Sequence, residues 1–400
     1  MTDHMPARHE GTFQIKGWCP GAIRPMAASD GLVVRIRPPA GRLTREQAQG
    51  LACLASRWAH PVLELTNRAN LQLRGVAPAQ HASLLEALRD LGLVDADAAH
   101  EARRNVQVQP FWTEGDLTRD LALRLDGLLA GPDAPALPAK FGFAVDTGPT
   151  PCMREAYADI RLERHAGGVL VCADGAGHGV LTAPQDAPQR ALDLARWFVQ
   201  SGGTRSGRGR MSALLDRCRL PAEWRQTPVA QAGAAVPAPG PHGGGQLVGL
   251  AFGLLPAHSL AALGACAALR LTPWRSLLVE SPAALPDLPE LITTAGDARL
   301  RVAACTGAPG CEQAAPAVES TRPLALALAP LVPAGQLLHV SGCAKGCAHP
   351  RSATTVLVTR QGLDLIWRGT AASVPDRRGL DRQAIEQLLR QPNFPHAAPL

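Results

Sequence analysis

The sequence is poor in aromatic residues, which make up 4% of its 400 residues. They do not alternate with basic residues, and no block of lysines and arginines occurs, so the stacking platforms and phosphate-binding runs of nucleic-acid-binding proteins are missing. With 46% hydrophobic and 18% charged residues, the chain is typical of globular proteins and must build its core mainly from Ala, Leu and Val. We therefore expect no nucleic-acid partner.

Segments for export or membrane insertion are also missing. Residues 1–16 mix charges and contain no apolar stretch like that of an export signal. Residues 247–269 are uncharged but include Pro256, His258 and several glycines, so a buried strand and helix explain them better than a membrane span. We expect a cytoplasmic protein with no membrane contact.

Acidic residues are in the minority, because 34 Asp and Glu stand against 40 Lys and Arg and the net charge is +6. Arginine greatly outnumbers lysine. An excess without a basic block suits a small anionic ligand better than a nucleic-acid duplex. The length of 400 residues allows two or three domains with a substantial core.

A nucleotide-binding motif is missing as well. Glycines follow a predicted strand in residues 174–179 with the spacing G-x-G-x-G, but no helix pattern begins at once and Pro184 comes soon after. We interpret this segment as a turn. Without a nicotinamide or flavin motif, redox chemistry by this chain would depend on an external electron donor.

The sequence does contain four cysteines in two close pairs, Cys305 with Cys311 and Cys343 with Cys347. Each pair follows an apolar run that predicts a strand, so both pairs are expected in loops just past strand ends. Open α/β sheets usually bind ligands at that edge, and neighbouring glycines let the backbone bend closely around a compact group. We predict that the four thiolates hold a [4Fe–4S] cluster.

Three other interpretations of these cysteines stay open. Two disulfides are conceivable, although paired cysteines in a reducing cytosol are more often metal-binding or catalytic. A zinc site is conceivable, although zinc modules favour C-x2-4-C spacings. Buried inert thiols are the third interpretation. Of the other cysteines, Cys19 is undecided, and the rest are expected to be buried: Cys53, Cys152, Cys172, Cys218 and Cys266.

The chain predicts an α/β (α+β) fold made of two similar halves. In the first half, a capping box begun by Thr44 opens a helix over 44–59, and strands are predicted at 13–16, 32–37, 62–66 and 71–74, with a second helix from Pro78 to Gly92. A related pattern returns at 247–279, with a strand at 247–252 and a helix over 255–269, which indicates an internal duplication. Elsewhere a strand is predicted at 140–145 and a final helix over 382–389. The predicted divisions are a ferredoxin-like unit at 10–92, an α/β domain at 93–230, a Gly/Pro-rich linker at 231–245, a second ferredoxin-like unit at 246–298, and an iron–sulfur domain at 299–400.

Several motifs carry a resemblance that covers nearly the whole chain. Residues 66–75 look like the segment T-x-R-x-x-x-Q-x-H-G, residues 103–106 like R-N-V, and residues 137–141 like L-P-R-K-F. Residues 34–37, with Arg35 and Arg37, look like the arginines of the first strand in the same proteins. Together with the cysteine pairs, these motifs resemble the siroheme-dependent nitrite and sulfite reductase superfamily. The resemblance implies a duplicated fold of ferredoxin-like units and larger mixed-sheet units, one of which binds the cluster.

The chain departs from the reductases at two positions. Gly142 stands where they have a second lysine that helps to bind the reducible anion, and Arg74 replaces a histidine. Residues 18–25, 65–72, 271–275 and 341–350 instead look like the precorrin-3B synthase family of aerobic cobalamin biosynthesis. The lost lysine suggests that a tetrapyrrole is the substrate here rather than a cofactor.

This resemblance implies a monooxygenase that uses O2 to hydroxylate precorrin-3A at C20 and to close a γ-lactone. It also implies a mononuclear non-haem iron, for which His349 is the candidate ligand, and electrons from NADH through a reductase or carrier. Arginine suits a substrate fringed with carboxylates because it donates two parallel hydrogen bonds. Arg24 and Arg275 are weaker candidates for this role, and the main ones are Arg35, Arg37, Arg68, Arg74, Arg104 and Lys140.

Two alternatives stay open at this point. One is a siroheme-dependent sulfite or nitrite reductase, which would bind siroheme next to the cluster. The other is a non-catalytic tetrapyrrole or metal carrier that has kept the fold. The residues of the catalytic step itself are not identified by the sequence.

Overall fold

The computed structural model describes residues 19–229, 235–281, 284–314 and 319–391. Within these residues the chain forms two compact units, a larger one from 19–27 and 31–294 and a smaller one from 28–30 and 295–391. The predicted strand at 13–16 lies outside the described residues, as does part of the predicted linker. No helix in the described part of the chain is long and apolar enough to cross a membrane.

The larger unit contains two small sheets and one six-stranded sheet. Its strands are, in chain order, β1 (Met26–Ala28), β2 (Gly31–Ile36), β3 (Arg42–Leu43), β4 (Val62–Leu65), β5 (Leu71–Val76), β6 (Val106–Val108), β7 (Phe143–Asp146), β8 (Ile160–His165), β9 (Gly168–Ala173), β10 (His178–Thr182), β11 (Thr227–Pro228), β12 (Gly240–His242), β13 (Gly245–Leu250), β14 (Leu254–Pro256), β15 (Leu269–Leu271), β16 (Ser276–Val279) and β17 (Leu291–Ile292).

The first helix of the larger unit begins where the sequence predicts a cap. Thr44 caps the first helix, since its side chain accepts a hydrogen bond from Gln47 N and the Gln47 side chain accepts one from Thr44 N. The helices are α1 (Arg45–Trp58), α2 (His81–Asp90), α3 (Ala98–Arg103), α4 (Leu117–Ala130), α5 (Ala187–Gln200), α6 (Met211–Leu215) and α7 (Ala257–Cys266).

The two small sheets have the strand orders β1-β2-β5-β4-β14 and β12-β13-β16-β15-β3, with β17 beside β13. Each sheet therefore ends in a short strand from the other half of the unit. Both exchanged strands follow a turn in which a non-glycine residue and the glycine after it have positive φ, Ala40 and Gly41 before β3 and Phe252 and Gly253 before β14. Their equivalent places support the predicted duplication. The helix expected over 255–269 is shorter, because Leu254–Pro256 pairs with β4.

The helices α1 and α7 pack closely against each other between these sheets. Gly264 makes this possible, because a Cβ atom there would lie only 2.8 Å from Ala48 Cβ. Fully buried leucines and valines fill the surrounding core, including Leu51, Leu63 and Leu260. The aromatic-poor composition is thus sufficient for a closely packed interior.

The six-stranded sheet has the order β11-β10-β9-β8-β7-β6, in which β6, β7 and β8 are parallel and the rest antiparallel. A cluster of three phenylalanines, Phe141, Phe143 and Phe198, lies fully buried in its core. The strand predicted at 140–145 begins later, at Phe143, because residues 140–142 form a turn that contributes to the candidate site described below.

The smaller unit repeats this topology. Its sheet has the order β18-β19-β20-β21-β22, with β18, β19 and β20 parallel and the last two antiparallel. The final predicted helix has the predicted bounds. The elements are β18 (Val302–Ala304), α8 (Thr321–Leu328), β19 (Leu338–Ser341), β20 (Ala353–Thr359), β21 (Gly362–Gly369), β22 (Arg377–Leu380) and α9 (Arg382–Leu389).

Candidate cluster-binding and substrate-binding sites

The four paired cysteines lie in two loops at one edge of the smaller unit's sheet. Cys305 directly follows β18, and Cys343 comes two residues after the end of β19. Since β18 and β19 are adjacent and parallel, both loops leave the sheet at the same edge. The loops are therefore side by side, as the positions of the predicted strands suggested.

The thiols are close enough to influence one another. Burial raises the pKa of the Cys343 thiol, and the charges of Cys305 and Cys311 raise it further. Burial also raises the pKa of Cys347, where Lys345 acts in the opposite direction and the other three cysteines add to the rise. Mutual repulsion of this kind would be relieved by a cationic metal centre, which favours all four thiolates together.

Backbone and hydroxyl groups hold the two loops in place. Gly342 N donates a hydrogen bond to Cys305 Sγ at 3.2 Å, and the Ser341 hydroxyl donates to Cys343 O at 2.8 Å. At the start of α8 the Thr321 hydroxyl donates to Cys305 O at 2.8 Å. Gly307 has a φ of 68° and no room for a side chain, because a Cβ atom would lie 2.6 Å from Thr321 Oγ1.

The structure bears on the other interpretations of the cysteines. None of the ten cysteines, all of which lie in the described residues, forms a disulfide, and Cys53 and Cys266, which were expected to be buried, are exposed. In the described ranges, no group of three or more His, Cys, Asp or Glu side chains is placed to hold a single metal ion. A zinc ion needs its ligands gathered at about 2.0–2.3 Å, whereas a cluster keeps its four cysteine ligands farther apart.

His349, the candidate iron ligand, lies just past this site. It is buried, its backbone N donates to Gly346 O at 3.2 Å, and its ring is 6.0 Å from that of the fully buried His339. The neighbouring His339 was not singled out by the sequence, because it lies within a predicted strand. The described residues do not gather other metal-ligating side chains with His349, so its role as an iron ligand stays a prediction.

In the larger unit, Arg68 is presented by a tight loop between β4 and β5. The Thr66 hydroxyl accepts hydrogen bonds from Arg68 N and Asn70 N, each at 3.3 Å, and Ala69 has a φ of 52°. This turn explains why Thr and Arg occur at the spacing T-x-R. The threonine closes the loop, and the arginine leaves it on the side of Lys140.

Arg68 meets a second arginine that the sequence analysis did not identify. Arg68 Nη1 and Arg210 Nη1 both donate to Lys140 O, at 3.0 and 2.7 Å. Burial lowers the pKa of Arg68 to about 10, and the nearby charges of Arg210 and Arg35 act in the same direction. We call Arg35, Arg68 and Arg210 the arginine group. The nearby Asp159 carboxylate acts in the opposite direction on the pKa of Arg68.

The carboxylate of Asp159 holds the backbone at Gly142 and at the start of α6 next to the arginine group. It is fully buried and accepts hydrogen bonds from Gly142 N at 3.0 Å and from Met211 N at 2.8 Å, and its ion pair with Arg210 has an N–O distance of 3.2 Å. Burial raises the pKa of Asp159, and Arg210 opposes this rise. Nothing in the sequence indicated that Arg210, which directly precedes α6, lies next to Arg68.

Two of the arginines predicted to bind substrate make hydrogen bonds within the protein. Arg37 and Arg104 are less than a tenth exposed. Arg37 donates to Glu101 O at 3.1 Å and to Pro20 O at 3.4 Å, and Arg104 donates to Asp95 and to Arg37 O. Burial lowers the pKa of Arg37 to about 10. Arg37 holds the segment around Pro20 next to β2, and Arg104 holds the backbone of Arg37. Direct contact of either side chain with a substrate stays a prediction.

The remaining candidates lie around the same region. Arg35 Nη2 donates to Gln72 Oε1 at 3.2 Å across β2 and β5. Arg74 is half-buried on β5, and the side chain of Lys140 is exposed while its carbonyl holds the two arginines. Gly142 cannot be replaced by the reductases' lysine without rearrangement, since a Cβ atom there would lie 2.6 Å from Asn105 Nδ2.

The chain is similar to several known proteins. Residues 24–91 match the family model described as the nitrite/sulfite reductase ferredoxin-like half domain. The chain is 31% identical to a protein named precorrin-3B synthase from Sinorhizobium sp, in an alignment of 395 residues that covers 90% of this chain and 84% of that protein. It also shares its fold with the NirA protein of Mycobacterium tuberculosis, with a TM-score of 0.62, 16% identity, and coverage of 90% of this chain and 80% of that one.

Proposed function

The chain belongs to the precorrin-3B synthase family, and we propose that it converts precorrin-3A to precorrin-3B with O2 as the oxidant. Its family membership makes it an enzyme of cobalamin biosynthesis. In the proposed reaction, one oxygen atom of O2 enters the substrate at C20 and a γ-lactone closes. Two electrons from a donor reduce the other oxygen atom to water.

The observation that carries this proposal is the arginine group. Arg35, Arg68 and Arg210 lie near one another, and the buried carboxylate of Asp159 forms an ion pair with Arg210. A tetrapyrrole fringed with carboxylates would supply further negative charge to this group through bidentate hydrogen bonds. Arg74 and Lys140 are proposed to contact the same substrate. For Arg37 and Arg104 we propose a positioning role, because their donors are directed at backbone carbonyls and Asp95.

We also propose that Cys305, Cys311, Cys343 and Cys347 hold a [4Fe–4S] cluster. When bound, such a cluster supplies electrons one at a time. The chain's own contribution is to keep the thiolates together: Gly342 N donates to a ligand sulfur, and the hydroxyls of Thr321 and Ser341 hold the two loops. The electrons are proposed to come from NADH through a separate reductase or a small carrier.

The oxygen-activating metal is proposed to be a mononuclear non-haem iron, which requires histidine or carboxylate ligands and open positions. The described side chains do not supply a complete set of ligands for it, since no three of them are arranged around one ion. His349 is the candidate ligand.

The test is a turnover assay combined with an analysis of bound metal. Protein purified without oxygen should contain iron and acid-labile sulfide but no siroheme, and should convert precorrin-3A only when O2 and a reductant are both supplied. Zinc without sulfide would contradict the cluster. A full cluster without any turnover would instead favour a tetrapyrrole or metal carrier.

A siroheme-dependent nitrite or sulfite reductase is the second candidate function, because the fold is shared with NirA. The position of Gly142 weighs against it, since a lysine at this buried position would collide with Asn105. A chlorin-type visible spectrum in the purified protein, together with sulfite or nitrite reduction, would favour the reductase.

A further inference from the structure

Tyr157 is the single tyrosine of the chain, and it lies beside the arginine group. Its side chain is 39% exposed, which makes it one of the few large hydrophobic residues at the surface among the described residues. The Arg68 guanidinium carbon is 5.7 Å from the centre of its ring, within the range of a cation–π contact. An exposed ring next to clustered positive charge is a feature of ligand-binding surfaces.

The backbone around this ring is held by buried polar groups. Gln107 Nε2 donates to Tyr157 O at 2.7 Å, and Arg161 donates to Ala156 O at 2.7 Å and to Met153 O at 2.8 Å. Further back, Asp146 accepts hydrogen bonds from the backbone at the start of the same loop. These hydrogen bonds fix the backbone of the loop, so the position from which the Tyr157 side chain extends is defined.

Arg210 is held with similar definition on the other side of Arg68. It donates to Lys140 O at 2.7 Å and pairs with the buried Asp159. These contacts use Nε and Nη1 of Arg210, and Arg68 uses Nη1 on the same carbonyl, which leaves the Nη2 atom of each guanidinium outside these contacts. Two partly exposed guanidinium groups then lie next to each other, a geometry suited to a carboxylate that accepts from both.

We propose that Tyr157 and Arg210 are substrate-binding residues, in which Arg210 and Arg68 together bind one peripheral carboxylate of a tetrapyrrole and the Tyr157 ring lies against the macrocycle. This inference rests on the proposed function and adds the residues that recognise the substrate. The aromatic ring supplies apolar contact with the flat macrocycle, and the arginine pair fixes its orientation.

The test uses the single tyrosine as a reporter. Full-length protein labelled with 3-fluorotyrosine gives one 19F signal, and uroporphyrin, an octacarboxylate macrocycle, serves as the probe. We expect the signal to shift or broaden on titration, with the same dissociation constant as quenching of porphyrin fluorescence. The substitution Arg210→Gln should weaken uroporphyrin binding by about tenfold, through the loss of charge-assisted hydrogen bonds.

Matched variants separate the contributions. Arg208→Gln, on the same exposed loop, should change the dissociation constant less than about twofold, as expected for an exposed charge. Tyr157→Phe should keep binding within about twofold because the ring remains, whereas Tyr157→Ala should weaken it by about fivefold to tenfold. Circular dichroism shows whether each variant is folded, and an Arg210→Lys variant provides a milder change if Arg210→Gln is not.

Three outcomes would overturn the inference. They are an unmoved 19F signal while uroporphyrin binds, equal binding by Arg210→Gln and Arg208→Gln, or no uroporphyrin binding by the wild type. The proposed function is tested separately, by measuring turnover of precorrin-3A. If the wild type turns over precorrin-3A and the Tyr157→Ala and Arg210→Gln variants keep its KM, the inference fails while the function stands.

Discussion

The two larger sheets of the molecule share one topology but differ in what their loops carry. Gln109 follows β6 as Cys305 follows β18, and each backbone N donates to the same neighbouring strand, at Val145 O and at Val340 O. A Cβ atom on Gly148, the counterpart of Cys343, would collide with the Gln109 side chain. In one copy an amide fills the space between the loops, and in the other copy cysteine side chains occupy the equivalent positions.

The two small loops after β4 and β15 teach the same lesson. Thr66 and Thr272 each accept backbone hydrogen bonds from residues two and four positions ahead, and a residue of positive φ follows in both. The central residue is Arg68 in the first loop and Trp274 in the second, where the ring stacks on Phe111 at 6.3 Å. The duplicated backbone is therefore a scaffold, and single side chains decide what each copy does.

The largest expected effect comes from replacing a cysteine in the loop that holds sulfur ligands. Cys305→Ser should abolish both the iron–sulfur absorbance and activity, because a serine hydroxyl is a poor ligand for the cluster. Acid-labile sulfide and the visible spectrum measure the loss. Cys266→Ser, at an exposed cysteine, is the control and should keep both. Full sulfide in the Cys305 variant would mean that the ligands are different.

The strand ends of the two larger sheets should also differ in how they make the free energy of unfolding depend on pH. Burial raises the pKa of Asp146 to about 6, against backbone hydrogen bonds from Met153 and Cys152. Its folded-state pKa is above the unfolded one, so the folded state binds the proton more tightly. Stability should then decrease by up to about 3 kcal/mol as pH rises from about 4 to 6, and level off above.

The measurement is the free energy of unfolding in urea across this pH range, for the wild type and for Asp146→Asn. The variant should lose this contribution to the slope, because an amide does not titrate. Ser341 occupies the equivalent place in the smaller unit, so Ser341→Ala should leave the pH slope unchanged. An identical slope in wild type and Asp146→Asn would show that this carboxyl does not carry the effect.

The paired loops allow a matched comparison of Arg68 and Trp274. Arg68→Gln should raise the KM for precorrin-3A by about tenfold to a hundredfold, since hydrogen bonds to a charged partner contribute about 1.5–3 kcal/mol. Trp274→Phe keeps an aromatic ring at the equivalent position and should leave KM almost unchanged. Steady-state kinetics decide the matter, and a similar KM change in both variants would refute a specific role for Arg68.

The smallest expected effect concerns the two threonines. The Thr272 side chain is fully buried and also donates to Ser276 O at 2.8 Å, whereas Thr66 is only half-buried. Thr272→Val should therefore lower the free energy of unfolding by about 1–3 kcal/mol, and Thr66→Val by about 1 kcal/mol or less. Urea unfolding of the two variants measures the difference. The reverse order would contradict the comparison.

Local patterns predicted much of this structure. The capping box at Thr44, the strand before Cys305 and the final helix depend on neighbouring residues, and the structure has them near the predicted positions. The exchange of β3 and β14 was not predicted, because a two- or three-residue edge strand has no periodicity of its own and its partner is distant in sequence.

The candidate sites divide in the same way. The cysteine pairs were recognisable because their spacing and the strands before them are local features. Arg210 and Tyr157 were not, since only the packing of α6 and the loop before β8 brings them to Arg68. Arg37 and Arg104 show the reverse case. Their sequence motifs predict contact with the substrate, whereas in the structure both side chains are buried and hydrogen-bonded to the protein.

By itself, the sequence determined the duplicated α/β pattern, the family and the four cysteines that gather at one sheet edge, because these depend on residue type and short spacing. Only the tertiary structure decided which arginines keep their charge exposed and which side chains fill the equivalent loops of the other copy. The physical reason is that exposure and hydrogen-bond partners are set by contacts between segments far apart in the chain.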